Sequence, residues 1–379
     1  MFLKQTQLFF DPNLHYPGDD LTLPFDEYMH QCKTLIAHTR MDLTPTHRDQ
    51  IINANAPFEY QPIAQPIRYG ALLTHGLYDS PFQMRDIGLH LQKQGLLVRS
   101  LLLPGHGTVP GALLKVTYED WLQTLHYGFN KLCEDTSQVF LVGNSTGAAL
   151  SLYYALHYPE KVAGIILISP ALKIYSKWAW MTYLALLFKA AWLHQDPKET
   201  LDYVKYSSYT YNSVYQVYRL TKALQKIKKH PACPLFFAQS IDDKVINPYT
   251  VLRYFSQNPC SQNKLILYSN QPTAYLDSRV TLRQSNIPEL HIKNFSHIAL
   301  PIAPSNPHYG QMGDYPLASH INTKNNVVYG EFNEKQIQYR AYLVKHHLAA
   351  TQLERLTFNP DFEFLMANIT QFIEYIEKN

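Results

Sequence analysis

Apolar residues in this chain fall into short unbroken runs separated by stretches of helical spacing. Residues 68–73 (RYGALL), 96–103 (LLVRSLLL), 138–142 (QVFLV) and 162–169 (VAGIILIS) each predict a strand buried on both faces. Between them, residues 82–94, 118–134 and 146–157 predict helices; the first closes on Gly95 and the last stops before Pro159. Strands alternating with helices mean βαβ units, so the fold class is α/β with a mostly parallel sheet. Upstream, residues 1–66 are polar and Pro-punctuated. One helix is predicted there, over 24–41, where Pro24, Asp26 and Glu27 suit an N-terminus.

The alternation breaks after Pro170. Residues 171–230 hold an apolar stretch at 178–193 (WAWMTYLALLFKAAWL), a Tyr-rich segment and a basic end at 222–230 (KALQKIKKH), and read as a helical insertion. The sheet resumes at 234–240 (PLFFAQS). Further strands are predicted at 264–269 and 289–295, loop over 301–330, and a closing amphipathic helix over 361–378. The organisation is therefore an N-terminal extension (1–66), a first core part (67–170), a helical insertion (171–230) and a second core part (231–379).

With 379 residues, 46% apolar and 17% charged, the chain is long and apolar enough for a large core and is not a disordered polymer. Lys and Arg number 33 against 30 Asp and Glu, a balance that argues against nucleic acid as a partner. The 178–193 stretch is interrupted by Lys189 and falls short of the roughly 20 residues of a membrane-spanning helix. It reads as a buried or lid helix, with weak membrane-surface contact through it and the basic 222–229 segment as the other reading. The N-terminal MFLKQTQLFFDP lacks the apolar core and cleavage site of a signal peptide, which makes the cytoplasm the default compartment; the oligomeric state is not legible. Four cysteines without C-x-x-C or Cys/His zinc spacing read as free thiols, and no metal site is expected.

The chemistry starts at Gly143-Asn144-Ser145-Thr146-Gly147, which fits G-x-S-x-G between a strand and a helix. A nucleophile there sits on a sharp turn aimed at a helix N-terminus, where the Thr146 N–H helps hold an oxyanion. An ordinary βα turn with a serine N-cap would carry the same letters. Such a serine needs an acid and then a histidine later in the chain. After strand 234–240 come Asp242 and Asp243; Asp243 is preferred because it directly precedes the turn Lys-Val-Ile-Asn-Pro, while Asp242 suits a solvated turn. Of His291, His297, His308 and His320, His297 follows a candidate strand directly, His291 lies within that strand as a packing residue, and the other two fall in polar loops. A second oxyanion donor is expected from the loop after the first core strand, where the Leu77 N–H is placed for it; His75 and His106 read as loop braces.

Five motifs in order, THGLYDSP, LLLPGHG, GNSTG, DDKVINP and FSHIAL, resemble the α/β-hydrolase superfamily, in particular bacterial carboxylesterases and monoacylglycerol-lipase-like serine hydrolases. The resemblance spans about residues 68–300. It implies a mostly parallel central sheet flanked by helices, a cap formed by 171–230, a triad of Ser145, Asp243 and His297, and an oxyanion hole from the Leu77 and Thr146 amides. It implies a small-molecule ester substrate, medium-chain or monoacylglycerol-type, cleaved without cofactor. A thioesterase, an aminopeptidase and a non-catalytic binding protein on the same fold stay open. The 54 residues from Asp243 to His297 exceed the spacing of short esterases, so an inserted loop is expected around 270–287. Residues 1–66 and 301–350 are additions of unassigned role.

Overall fold

The computed structural model describes residues 15–40, 42–62, 67–175, 191–192, 202–271, 277–315 and 327–378. Most of the apolar 178–193 stretch, and His320, lie outside the described residues. The chain forms two compact units, Met1–Pro234 and Leu235–Asn379.

The first unit opens with α1 (Phe25–Thr39), which follows Pro24 and carries Asp26 and Glu27 in its first turn, where the helix dipole favours acids. Its buried stripe, Phe25, Tyr28, Cys32 and Ile36, has helical spacing. The extension holds more than the one expected helix: α2 (Arg48–Asn55) and β1 (Phe58–Tyr60) follow. The core elements are β2 (Tyr69–Thr74), α3 (Arg85–Lys93), β3 (Leu97–Leu101), α4 (Tyr118–Asp135), β4 (Gln138–Asn144), α5 (Thr146–His157) and β5 (Val162–Ile168). The strand order is β1-β3-β2-β4-β5; β1 pairs antiparallel with β3 and the other pairs are parallel. Every residue of β2, β3 and β5 is buried, as strands covered on both faces require. The start of the helix expected over 82–94 is a 3₁₀ turn at Pro81–Met84. Within the expected helical insertion, α6 (Tyr211–Lys226) begins at Thr210, whose side chain accepts the Ser213 N–H.

The second unit holds β6 (Leu235–Ser240), α7 (Pro248–Gln257), β7 (Lys264–Tyr268) and β8 (Val280–Arg283), the three strands parallel in the order β6-β7-β8. The stretch expected as an inserted loop thus contains a strand, with Arg283 ion-paired to Asp361. The strand expected over 289–295 does not form. Pro288–Leu290 is a 3₁₀ turn and His291 takes a left-handed φ of 56°, which ends extended backbone. His291 is exposed rather than packed. Residues 301–350 are not all loop either. β9 (Val327–Gly330), α8 (Glu334–Lys345) and β10 (Gln352–Arg355) form a βαβ unit with parallel strands. The closing helix α9 (Phe362–Lys378) lays Phe372 on Phe236 of β6 at 5.6 Å between ring centroids.

Arg99 ties the extension to the core of the first unit. Its guanidinium donates to Glu59 (2.6 Å), Asp135 (2.7 Å) and the Lys131 carbonyl (2.7 Å), and lies 4.7 Å from the Phe25 ring centroid. Removing one partner of a buried pair costs about 3–5 kcal/mol, less where the carboxylates reach water as Asp135 does here. Arg99→Met is therefore expected to lower stability by about 2–3 kcal/mol, read as a shifted urea midpoint, whereas Asp135→Asn shifts it little.

Candidate active site

Ser145 stands between β4 and α5 with φ 52° and ψ −112°, a region an L-residue occupies only under constraint. The constraint is the approach of backbone to backbone. A Cβ on Gly147 would stand 2.1 Å from the Thr74 carbonyl oxygen, and one on Gly143 2.4 Å from the Ala148 nitrogen. Only glycine at both positions lets α5 leave the sheet this closely. The turn is then fastened: the Ser145 N–H donates to Ile168 (2.9 Å), and its carbonyl accepts from Ala149 (3.1 Å) and Ala171 (3.0 Å). Thr146 is the first helical residue, so its N–H is one of the four that a helix start leaves without an intrahelical acceptor.

The loop after β2 comes up beside this turn. A Cβ on Gly76 would lie 3.3 Å from the Ser145 Cβ, so the residue before Leu77 lies beside the serine. His75 braces the loop from below. Its Nε2 accepts the Leu103 N–H at 3.2 Å, so Nδ1 carries the proton and donates to the Gly76 carbonyl at 2.8 Å. The Gly76 N–H donates to Gln83 Oε1 (2.8 Å), and Gln83 Nε2 donates to Asp79 (2.7 Å), which Lys205 approaches at 3.4 Å. The Tyr78 carbonyl accepts the Tyr206 N–H at 2.9 Å, and the Tyr206 hydroxyl donates to the Gly105 carbonyl at 3.0 Å. Residues 205–206 therefore hold both the Leu77 loop and the His106 loop. Sequence reasoning missed this brace, because Lys205 and Tyr206 belong to no motif.

In the second unit, Asp243 and His297 meet. Asp243 Oδ2 lies 2.6 Å from His297 Nδ1. The other carboxylate oxygen accepts the Val245 (2.9 Å) and Ile246 (3.0 Å) N–H groups of the turn that made Asp243 the preferred acid. A carboxylate so engaged accepts only, so Nδ1 bears the proton and Nε2 is the basic nitrogen. Asp242 points elsewhere: burial raises its carboxyl pKa, opposed by a hydrogen bond from Asn294. His308 pairs with Asp314 at 2.5 Å, not with Asp243. Glu331 was not anticipated; its Oε2 accepts the His297 main-chain N–H at 2.6 Å. Among the described residues no three His, Cys, Asp or Glu side chains are gathered as metal ligands, and no helix is long and apolar enough to cross a membrane. Cys32, Cys133 and Cys260 are free thiols.

Comparison with known proteins bears on part of the chain. The family model described as Hydrolase_4, serine aminopeptidase S33, matches residues 65–271, more than half of the chain. A thermostable monoacylglycerol lipase of Bacillus sp. (strain H-257) is 34% identical over 113 residues, 30% of this chain and 45% of the lipase. The match thus spans less than half of that relative's length. Among solved structures, one from work on LipS and LipT, two metagenome-derived lipolytic enzymes, aligns with a TM-score of 0.51 at 23% identity, covering 56% of this chain and 87% of that one. That likeness establishes the α/β-hydrolase fold.

Burial holds the two bracing histidines neutral: His75 lies well below its ordinary pKa of 6.5 and His106 is lowered to about 4. In the unfolded chain both titrate near 6.5, so between about 6.5 and 4 the unfolded state binds more protons than the native one. Stability is expected to fall as pH drops through that window, with His106 contributing on the order of 3 kcal/mol by pH 4. His106→Gln should flatten that part of a denaturation-against-pH curve; an unchanged slope would contradict the assignment.

Proposed function

The chain belongs to the serine aminopeptidase S33 family of hydrolases, and from that premise we propose that it is a serine hydrolase cleaving carboxylic esters. The observation that carries the reading is the 2.6 Å contact of Asp243 with His297 Nδ1, which leaves Nε2 as a base of fixed tautomer. Ser145 is the nucleophile, His297 takes its proton as Oγ attacks the ester carbonyl, and Asp243 orients the imidazole and stabilises its charged form. The Leu77 and Thr146 amides hold the tetrahedral oxyanion; it collapses as the C–O bond to the alcohol breaks and His297 gives that alcohol the proton, and water deprotonated by the same histidine then attacks the acyl-enzyme and releases the acid, Ser145 recovering its proton. The strained turn at Ser145 supports the nucleophile role, since such backbone persists only where surrounding structure holds it.

The substrate is a monoacylglycerol-type or medium-chain ester. Support comes from the lipase relative and from the apolar 178–193 stretch, whose Trp, Leu and Phe content suits an acyl chain. The direct test is hydrolysis of an acyl-length series of p-nitrophenyl esters beside a peptide-amide panel. Rates are expected to rise from acetate toward medium chains, and amides to be poor. Ser145→Ala should abolish turnover, and Asp243→Asn should lower kcat by about 10⁴-fold, as loss of the orienting acid does in such triads. A rate that peaks at acetate would remove the acyl-chain reading; cleavage of the amides alone would make the chain a peptidase.

A further inference from the structure

Glu331 is a buried carboxylate that this mechanism leaves unused. It is 2% exposed. Burial raises its carboxyl pKa, opposed by the charge of Arg355 and by the hydrogen bond from the His297 N–H. At 2.6 Å that bond has the short length of a charge-assisted one.

What it holds is a segment that is not itself a strand. Because residues 289–295 are not a strand, no ladder fixes the main chain leading into His297. The supports come one by one. Lys293 N–H donates to the Tyr329 carbonyl (2.8 Å), and Tyr329 N–H to the His291 carbonyl (3.0 Å). Ser240 Oγ donates to the Phe295 carbonyl (2.8 Å), and Ser296 Oγ to the Leu356 carbonyl (2.5 Å). Glu331 closes the series at the histidine. Its own N–H donates to Asn294 Oδ1 (2.7 Å), and a Cβ on Gly330 would stand 2.5 Å from that same oxygen. Gly330-Glu331 and Asn294–His297 are thus locked by bonds running in both directions.

We infer that Glu331 is a positioning residue for His297: its carboxylate pins the histidine main chain so that Nδ1 stays on Asp243 and Nε2 keeps one direction. The inference rests on the reading of His297 as the base. Glu331 lies outside the family-matched 65–271, so the device belongs to the addition whose role the sequence left open.

The test separates reach from charge. Glu331→Gln keeps the length and an acceptor oxygen. Glu331→Asp keeps the charge but withdraws the oxygen by one methylene. In the full-length protein Glu331→Gln is expected to hold kcat on a p-nitrophenyl ester within about threefold, and Glu331→Asp to lower it on the order of 10²-fold, the cost of small misplacement, with KM unchanged. The far-downfield proton resonance of the Asp243–His297 hydrogen bond should persist in Glu331→Gln and vanish or broaden in Glu331→Asp. Equal behaviour of the two variants, or a loss in Glu331→Asp matched by its loss of folded protein, would overturn the inference. The resonance is read without substrate. A wild type inactive on esters whose resonance still follows this pattern would refute the ester reading and leave Glu331 as the positioning residue.

Discussion

The Thr74 carbonyl occupies the space where any side chain at position 147 would begin. That one approach sets the geometry of the turn that carries Ser145. It brings the start of α5 against the end of β2 and obliges the chain between β4 and α5 to turn within a single residue. Ser145 takes the positive φ that the turn demands. The same closeness brings Gly76 against Ser145, so the serine and the loop carrying Leu77 are placed together. Position at this end is set by main chain rather than by side-chain packing, and main chain packed at this density has little room to relax.

The second unit reaches comparable order by a different route. Asp243 is held by the turn that follows it, through two N–H groups on one carboxylate oxygen. His297 has no strand behind it, and its main chain is fixed by groups from β6 and from the addition around β9 and β10. For His297 as the proposed base, an imidazole on a loop has to be oriented before it accepts a proton usefully, and orientation is the role inferred for the pinned N–H two bonds from the side chain. The histidine's direction is thereby tied to the folding of residues 327–356.

Much of this was legible in the amino acids, for physical reasons that differ by residue. The strands β2 to β5 read clearly because burial on both faces makes them apolar throughout. The sharp turn at Ser145 read clearly because the glycines on either side are steric necessities. Asp243 was separable from Asp242 through the turn it caps. The segment 289–295 misled because Glu-Leu-His-Ile-Lys alternates like a strand, while Pro288 and the left-handed His291 forbid one. β8 escaped notice because as an exposed strand it lacks an apolar run. Glu331 left no signal at all. Its partner is 34 residues away, and no local pattern marks a glutamate that will be buried.

Covalent capture asks most directly whether Ser145 is the activated nucleophile proposed for it. Full-length protein treated with a fluorophosphonate and mapped by peptide mass spectrometry should carry one adduct, on the peptide containing Ser145, and none in Ser145→Ala. Folded wild type that takes no adduct, or an adduct that persists in Ser145→Ala, would contradict the account and turn attention to a binding role for the same fold.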